Sequence, residues 1–188
     1  MKCFIFLVFA KVLFSQNMAY EKFQNYVQSP NGSTIQIEYL QSYFEEEIAS
    51  SGMLYIKDEM YIYDNEKQFI KYEDGLITTI NKPIRQVIYD SINNNDLTIF
   101  DILTGNKNSV NIDNEIVENN QIRIPFYLEL WDIKGSIWVR QHDGSPLKVT
   151  FIQDKDLKIQ IDIKSISQAE FNPPRFDFSD YEVINLIE

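Results

Sequence analysis

Few side chains in this sequence could do catalytic chemistry. The single histidine, His142, precedes the turn-forming pair Asp143-Gly144, and the single cysteine is Cys3. A histidine at a hairpin end is usually exposed to solvent, since turns lie on the surface. Ordinary zinc sites combine several cysteine and histidine ligands, so these residues cannot assemble one.

The acidic residues show no catalytic spacing either. Glu45-Glu46-Glu47 lies between two predicted strands, where successive side chains point to alternating faces, which favours a solvated hairpin end over a metal site. Asp154 and Asp156 flank a predicted turn and form its polar shell. The sequence has no G-x-S-x-G, phosphate loop or H-E-x-x-H. We therefore expect a binding protein that is not an enzyme. A hydrolase of unknown type is the alternative in which the protein does catalyse a reaction.

The net charge of the chain limits the kinds of partner that it can bind. The 188 residues include 28 acidic and 17 basic side chains, for a net charge of -11. Nucleic acids and anionic membrane surfaces both require a basic footprint, so this balance opposes binding to either. A hydrophobic content of 44% predicts a packed fold.

Residues 1–15 have the pattern of a cleaved signal peptide. Lys2 gives a positive start, an apolar run extends from Phe4 to Phe14, and Ser15 offers a small residue at the cleavage point. The run is shorter than the ~20 apolar residues that span a bilayer. The alternative is a core-facing first helix. We expect one mature domain over residues 16–188.

The spacing of apolar residues along the sequence predicts the positions of the helices and strands. Met18 to Gln28 has aromatic residues at helical spacing, and alternation begins at Ser33. From Gly52 to Val87 the chain is a strand meander with turn formers at Asp64-Asn65 and Asp74-Gly75. A helix is predicted next over Leu97–Leu103, capped by Asp96 and ended by Gly105. The later strands are predicted at Ile122–Leu130, Ile133–Gln141 and Leu147–Gln153, and an alternating strand runs from Leu157 to Ile163.

These elements predict a mainly β fold. About ten strands and two short helices fit an incomplete antiparallel β-barrel (half-barrel), with short helices covering the concave apolar face. The tail after Phe171 carries two prolines, so we expect it along an edge or across the mouth of the sheet. Strands such as Met53–Ile56 are apolar on both faces, which predicts core on one side and a cavity or ligand on the other. The alternative is an ordinary packed core.

The meander and the tail resemble a known family, the periplasmic outer-membrane lipoprotein carriers (LolA-like). Three segments of the meander follow each other in that family's order: G-M-L-Y-I-K, K-Q-F-I-K-Y-E-D-G and K-P-I-R-Q-V. In the tail, F-D-F followed by V-I resembles the C-terminal motif of that family. The family's arginine after the lysine, which ties its lid closed, is replaced here by Asp58. The matching residues are Gly52, Leu54, Lys57, Asp74, Gly75, Pro83 and Gln86, with Phe176, Phe178, Val183 and Ile184 in the tail.

The resemblance implies a function. Such a carrier takes a triacylated lipoprotein from an inner-membrane ABC lipoprotein-releasing transporter, shields its acyl chains across the periplasm and passes it to an outer-membrane lipoprotein receptor. It implies a monomer with no cofactor, neither ATP nor metal. The alternative is an envelope sensor or accessory domain of the same fold that binds lipids or proteins without shuttling them.

The apolar residues of the meander and of the short helix are the candidates for lining the acyl-chain cavity. A one-residue register slip swaps the faces of a strand, so the choice between Tyr61 and Tyr63 stays open in the sequence. We expect the short helix to lie over the cavity. The candidates are Leu54, Ile56, Tyr61, Tyr63, Ile99, Phe100, Leu103 and Trp138.

Overall fold

A computed structural model describes residues 18–44, 46–92, 102, 110–153, 157–168 and 172–187. The predicted signal peptide and the Asp154–Asp156 turn lie outside the described residues. The predicted helix over Leu97–Leu103 does too, except for Ile102, which is helical.

The described elements are one α-helix, a short 3-10 turn and thirteen strands. The helix α1 spans Met18–Val27, as the aromatic spacing predicted, and the 3-10 turn spans Glu129–Trp131. The strands are β1 (Ser33–Tyr43), β2 (Glu46–Lys57), β3 (Met60–Asn65), β4 (Gln68–Glu73), β5 (Leu76–Asn81), β6 (Gln86–Ser91), β7 (Asn111–Ile112), β8 (Ile116–Glu118), β9 (Gln121–Leu128), β10 (Ile133–Arg140), β11 (Pro146–Gln153), β12 (Leu157–Ser167) and β13 (Glu182–Asn185).

All the strands belong to one sheet, which curls without closing. Its order is β13-β6-β5-β4-β3-β2-β1-β12-β11-β10-β9-β7, and β8 also pairs with β9. Every pairing is antiparallel except that of β13 with β6. The mainly β, incomplete-barrel prediction is therefore confirmed.

Tight turns with left-handed residues connect the meander. Asp74 and Gly75 both have positive φ (51° and 77°), the requirement of a two-residue type I′ hairpin, as their sequence predicted. The prediction of a turn at Asp64-Asn65 was wrong, because both residues belong to β3. The connection is Glu66-Lys67, two residues later, where the Asn65 side-chain oxygen accepts hydrogen bonds from the backbone N–H groups of Lys67 (2.8 Å) and Gln68 (2.7 Å).

The main core lies between α1 and the concave face of the sheet. Phe23 and Val27 of α1 are fully buried against it. The helix covers one end of this face: the Ser33 hydroxyl, at the start of β1, donates to the Tyr26 carbonyl (3.0 Å). Gly144, in the β10–β11 turn, lies so close to Lys22 that a Cβ there would be 2.6 Å from the Cβ of Lys22.

A second core lies on the convex face of β3–β6. Ile62, Phe69, Ile80 and Val87 are buried there beneath Phe176, Phe178 and Tyr181 of the tail. After this crossing, β13 pairs in parallel with β6 along the sheet edge, one of the two positions predicted for the tail. The apolar residues on both faces of these strands thus serve two cores, and part of the apolar surplus is ordinary packing.

Candidate functional site

The strand register places four of the predicted cavity residues on one face. Leu54 pairs with Tyr63 and Ile56 with Tyr61 across β2 and β3, and all four side chains belong to the concave core. Both tyrosines therefore face inward, which settles the question of register that the sequence left open. None of the four is more than 6% exposed.

Tyr63 extends from this core along the concave face. Its ring covers Gly52, and its hydroxyl lies 3.3 Å from the Ser50 hydroxyl and accepts a hydrogen bond from the Asn65 amide (3.1 Å). Because Gly52 has no side chain, the ring can lie flat against β2. Tyr63 thereby forms the boundary between the packed core and the open half of the concave face.

Beyond Tyr63 lies a cavity of about 530 Å³ on the concave face. This volume is within the ~300–1,000 Å³ that is usual for small-molecule sites. It opens at the end of the face opposite to α1, where β1 ends and β2 begins. Its apolar lining is Ile37, Ile48, Ala49, Ile70, Pro83 and Ile161.

Polar groups surround this apolar lining, and most of them are neutral. The Tyr39 hydroxyl donates to the Gln41 side-chain oxygen (2.6 Å). A tyrosine hydroxyl is neutral at physiological pH, and burial, with the neighbouring Tyr63 second, raises the pKa of Tyr39 further. Among the residues that line the cavity, Lys67 is the one with a formal charge. The site is therefore suited to a ligand that is apolar along most of its length.

An exposed apolar hairpin end adjoins the cavity. Tyr43, Phe44 and Ile48 are 51%, 68% and 58% exposed, and the rings of Tyr43 and Phe44 pack edge to face with centroids 4.6 Å apart. Ile48 also lines the cavity. The predicted solvated hairpin end is confirmed at Glu46 and Glu47, which are exposed, but the acidic run does not indicate the apolar residues on either side.

Among the predicted site residues that the structure describes, Tyr63 lines this cavity, whereas Leu54, Ile56 and Tyr61 are buried in the packed core beside it. Trp138 lies on the convex face, because its neighbours Ile137 and Val139 point into the concave core, so its assignment to the concave cavity needs correction. Ile99, Phe100 and Leu103 lie outside the described residues. Ile102, from the same segment, is 2% exposed and packs in the concave core.

His142 is exposed, as its place before a turn predicted, with its Nε2 atom 3.2 Å from an Asp143 carboxylate oxygen. A hydrogen bond from the Ser145 backbone N–H is the main cause of the lowered pKa of Asp143. Asp58 has a φ of 53° in the β2–β3 turn.

Within the described ranges, no three histidine, cysteine or acidic side chains lie together in a way that could hold a metal ion. In the same part of the chain, no helix has the length and apolar character needed to cross a membrane.

Comparison with known proteins places the fold. No family model matches the sequence, and no curated protein matches it. An uncharacterized conserved protein from Thermus thermophilus superposes with a TM-score of 0.56 at 9% identity, over 89% of this chain and 96% of that one. The two proteins therefore share a fold along nearly their whole lengths.

Two further solved structures superpose less well. A LolA superfamily protein from Nitrosomonas europaea has a TM-score of 0.46 at 11% identity, over 83% of this chain and 93% of that one. A putative outer membrane lipoprotein-sorting protein domain from Vibrio parahaemolyticus also has a TM-score of 0.46, at 10% identity, over 88% and 96%. The superposition on the Thermus thermophilus protein is the one that shows a shared fold, an open curled sheet with a helix across its concave face.

Proposed function

We propose that this protein is a periplasmic carrier that binds the acyl chains of lipoproteins in the concave cavity and shuttles them from the inner to the outer membrane. The observation that carries this proposal is the apolar cavity of about 530 Å³, which α1 leaves open. The resemblance of the meander to lipoprotein carriers supports the same conclusion independently.

The chemistry of acyl chains explains why such a cavity is needed. Each methylene removed from water contributes ~0.8 kcal/mol, so exposed chains would drive a lipoprotein into a membrane or an aggregate. The isoleucine lining takes the place of the membrane for these methylenes. The role consists of binding and release, without a catalytic step.

Release of the acyl chains requires a cavity that is more open than a packed core. The half of the concave face beneath α1 is packed, with Phe23, Leu54 and Ile137 fully buried. The half beyond Tyr63 is open, and its lip carries the exposed hairpin end at Tyr43, Phe44 and Ile48. A chain bound there can leave without unfolding the core, which a shuttle between two membranes needs.

Transport of lipoproteins between the two membranes implies a partner at each membrane. The predicted signal peptide would deliver the chain to the periplasm, where it would receive cargo from an inner-membrane ABC transporter and give it to an outer-membrane receptor. A monomer with the strongly acidic composition of this chain would diffuse freely between them. The alternative is an envelope sensor or accessory domain that binds lipids or proteins in place.

The test is native mass spectrometry of the mature chain purified from a periplasm that makes triacylated lipoproteins. We expect a co-purifying acylated protein that is lost when its acyl chains are removed. In vitro, a triacylated peptide should displace the apolar probe anilinonaphthalene sulfonate stoichiometrically, and the same peptide without acyl chains should not.

Two results would contradict this proposal. An apo mass, with no uptake of the triacylated peptide, would exclude an acyl-chain carrier. A stable protein partner whose binding does not depend on acyl chains would favour the sensor or accessory domain.

A further inference from the structure

The first half of β2 is a free edge of the sheet. β1 pairs with β2 from Glu46 to Ile56, whereas β3 pairs only with Gly52–Lys57. β3 ends at Asn65, where the chain turns towards β4. Residues 46–51 therefore have β1 on one side and, within the part of the chain that the structure describes, no strand on the other.

Strand register determines which backbone groups this edge presents. Tyr43 and Glu46 close the two-residue β1–β2 hairpin, in which Phe44 has the positive φ (52°) that such a turn requires. The closing pair is hydrogen-bonded, and the backbone groups of successive strand residues point to the two sides in alternation. Glu46 thus faces β1. The N–H and C=O groups that face away from β1 belong to Glu47, Ala49 and Ser51.

These backbone groups are accessible to another strand. No hydrogen bond joins them to another described residue, and all three residues are exposed. Charged side chains and prolines usually protect a free edge. Here the charges of Glu46 and Glu47 stand at the outer end, and the part of the edge nearer to β3 consists of Ala49, Ser50 and Ser51. Their small side chains allow a second backbone to approach closely.

The free edge borders the apolar cavity. Ile48, Ala49 and Ser50 line this cavity from β2, and the end of β3 and the β3–β4 turn line it from the other side. The cavity therefore opens in the gap where β3 no longer covers β2. A strand added along the edge would direct every second side chain to the concave face, where this opening lies.

A ligand that fills both places combines an extended peptide with an apolar chain. A free lipid has no backbone to pair with the edge, and an unmodified peptide has no long apolar chain for the cavity. A lipoprotein has both, because its acyl chains are attached to a residue of its polypeptide. Pairing through the main chain gives affinity that does not depend on a fixed sequence.

We propose that the free edge of β2 binds the polypeptide next to the acylated residue of a lipoprotein as an added β-strand, while an acyl chain occupies the cavity. The inference rests on the proposed carrier function and adds the peptide half of the ligand to it. Because Glu47, Ala49 and Ser51 offer backbone groups only, cargoes with different sequences would bind in the same way.

The experiment compares three forms of one triacylated hexapeptide, by displacement of anilinonaphthalene sulfonate from the mature chain. One form has an ordinary backbone, and the other two carry N-methyl groups on alternate residues, starting from the second or from the third. Only one of these sets of N–H groups can face β2 in a paired strand. We expect one N-methylated form to bind about tenfold more weakly than the ordinary peptide, and the other to bind within about twofold of it.

A proline variant tests the edge from the side of the protein. Ala49→Pro removes an outward N–H that has no partner among the described residues, a position at which an edge strand tolerates proline. It should weaken binding of the ordinary peptide about tenfold and bring the two N-methylated forms to equal affinity. Circular dichroism checks that the variant is folded. The peptide comparison uses the unmodified protein, so it decides the question even if Ala49→Pro does not fold.

The matched control is Val117→Pro, on the edge strand β8. Asn119 and Asn120 form a two-residue turn closed by Glu118 and Gln121, so Glu118 faces β9 and Val117 faces away from it. Val117 is exposed and does not line the cavity. This variant should keep the wild-type difference between the two N-methylated forms.

Three results would overturn the inference. Equal affinities of the three peptide forms for the wild type would exclude strand pairing and leave the carrier function standing. A triacylated peptide that displaces no probe would overturn both. A wild-type dimer that Ala49→Pro converts to a monomer would show that a second copy of the chain, and not cargo, occupies the edge.

Discussion

The ring of Tyr63 covers Gly52 so closely that a Cβ on this glycine would lie 2.7 Å from Cε2 of Tyr63. The same Cβ would lie 2.7 Å from the backbone oxygen of Asp64. Gly52 is thus required by the neighbouring strand and not by its own backbone angles. Because Tyr63 separates the core from the cavity, Gly52 has a structural role in shaping the candidate site.

Gly52→Ala should destabilise the fold. The added methyl group meets the ring and a backbone oxygen, so the strand pair must separate, and overpacking of this kind costs about 1–3 kcal/mol. Urea unfolding measures the loss. Ser51→Ala, at an exposed neighbouring position, should stay within about 0.5 kcal/mol of the wild type. An unchanged midpoint for Gly52→Ala would mean that Tyr63 does not cover Gly52 in solution.

Ile48→Glu should weaken acyl-chain binding without unfolding the protein. Ile48 lines the cavity but is 58% exposed, so a carboxylate there stays hydrated while making the cavity lip polar. We expect about a tenfold rise in the Kd for a triacylated peptide, about 1.4 kcal/mol. The matched control is Leu76→Glu, since Leu76 is 46% exposed and remote from the cavity. Equal losses in the two variants would contradict the cavity as the binding site.

Tyr20→Phe should be neutral or stabilising at pH 7. The Tyr20 hydroxyl is buried and has no hydrogen-bond partner among the described residues. Removing an unsatisfied buried hydroxyl can recover up to about 1–3 kcal/mol. Urea unfolding at pH 7 measures the difference. A clear loss of stability would show that the hydroxyl has a partner in solution.

The same variant should resist alkaline unfolding. Burial raises the pKa of Tyr20 to about 12 from the ordinary 10, so the folded state keeps its proton while the unfolded state loses it. The resulting stability is complete below pH 10 and is lost as the pH rises from 10 towards 12, by about 1.4 kcal/mol per pH unit. Unfolding of both proteins between pH 8 and pH 11.5 measures this loss.

In that pH series, Tyr26→Phe is the control, because Tyr26 belongs to the same helix and is only partly buried. It should retain the wild-type alkaline loss of stability. A Tyr20→Phe variant with the wild-type slope would mean that other groups cause the alkaline loss.

Phe176→Ala should release the tail from the convex face. The Phe176 ring packs against Phe69 (centroids 5.9 Å apart) and Tyr181 (5.8 Å). Its loss should cost about 1.5–3 kcal/mol and speed hydrogen exchange at the β13 amides. Phe44→Ala, at a ring that is 68% exposed, is the control. Unchanged exchange in β13 would show that strand pairing with β6 holds the tail without this core.

Local signals in the sequence predicted much of this fold. The Asp74-Gly75 pair requires left-handed backbone angles that few other residues adopt, so its hairpin could be located without any tertiary information. Helical spacing likewise located α1, because only one face of that helix is apolar. Asp64-Asn65 has similar turn-forming residues, but its position in β3 depends on pairing with β2 and β4, which no local pattern encodes.

Alternation and turn chemistry act over a few residues, so the class of fold and its apolar character could be predicted without any tertiary information. Which residues meet was decided by tertiary structure. Trp138 and Tyr63 are both large aromatic residues on strands, yet register places one on the convex face and the other against the concave cavity. A one-residue shift in pairing would exchange the two faces, so a site built from several strands is fixed only when the sheet assembles.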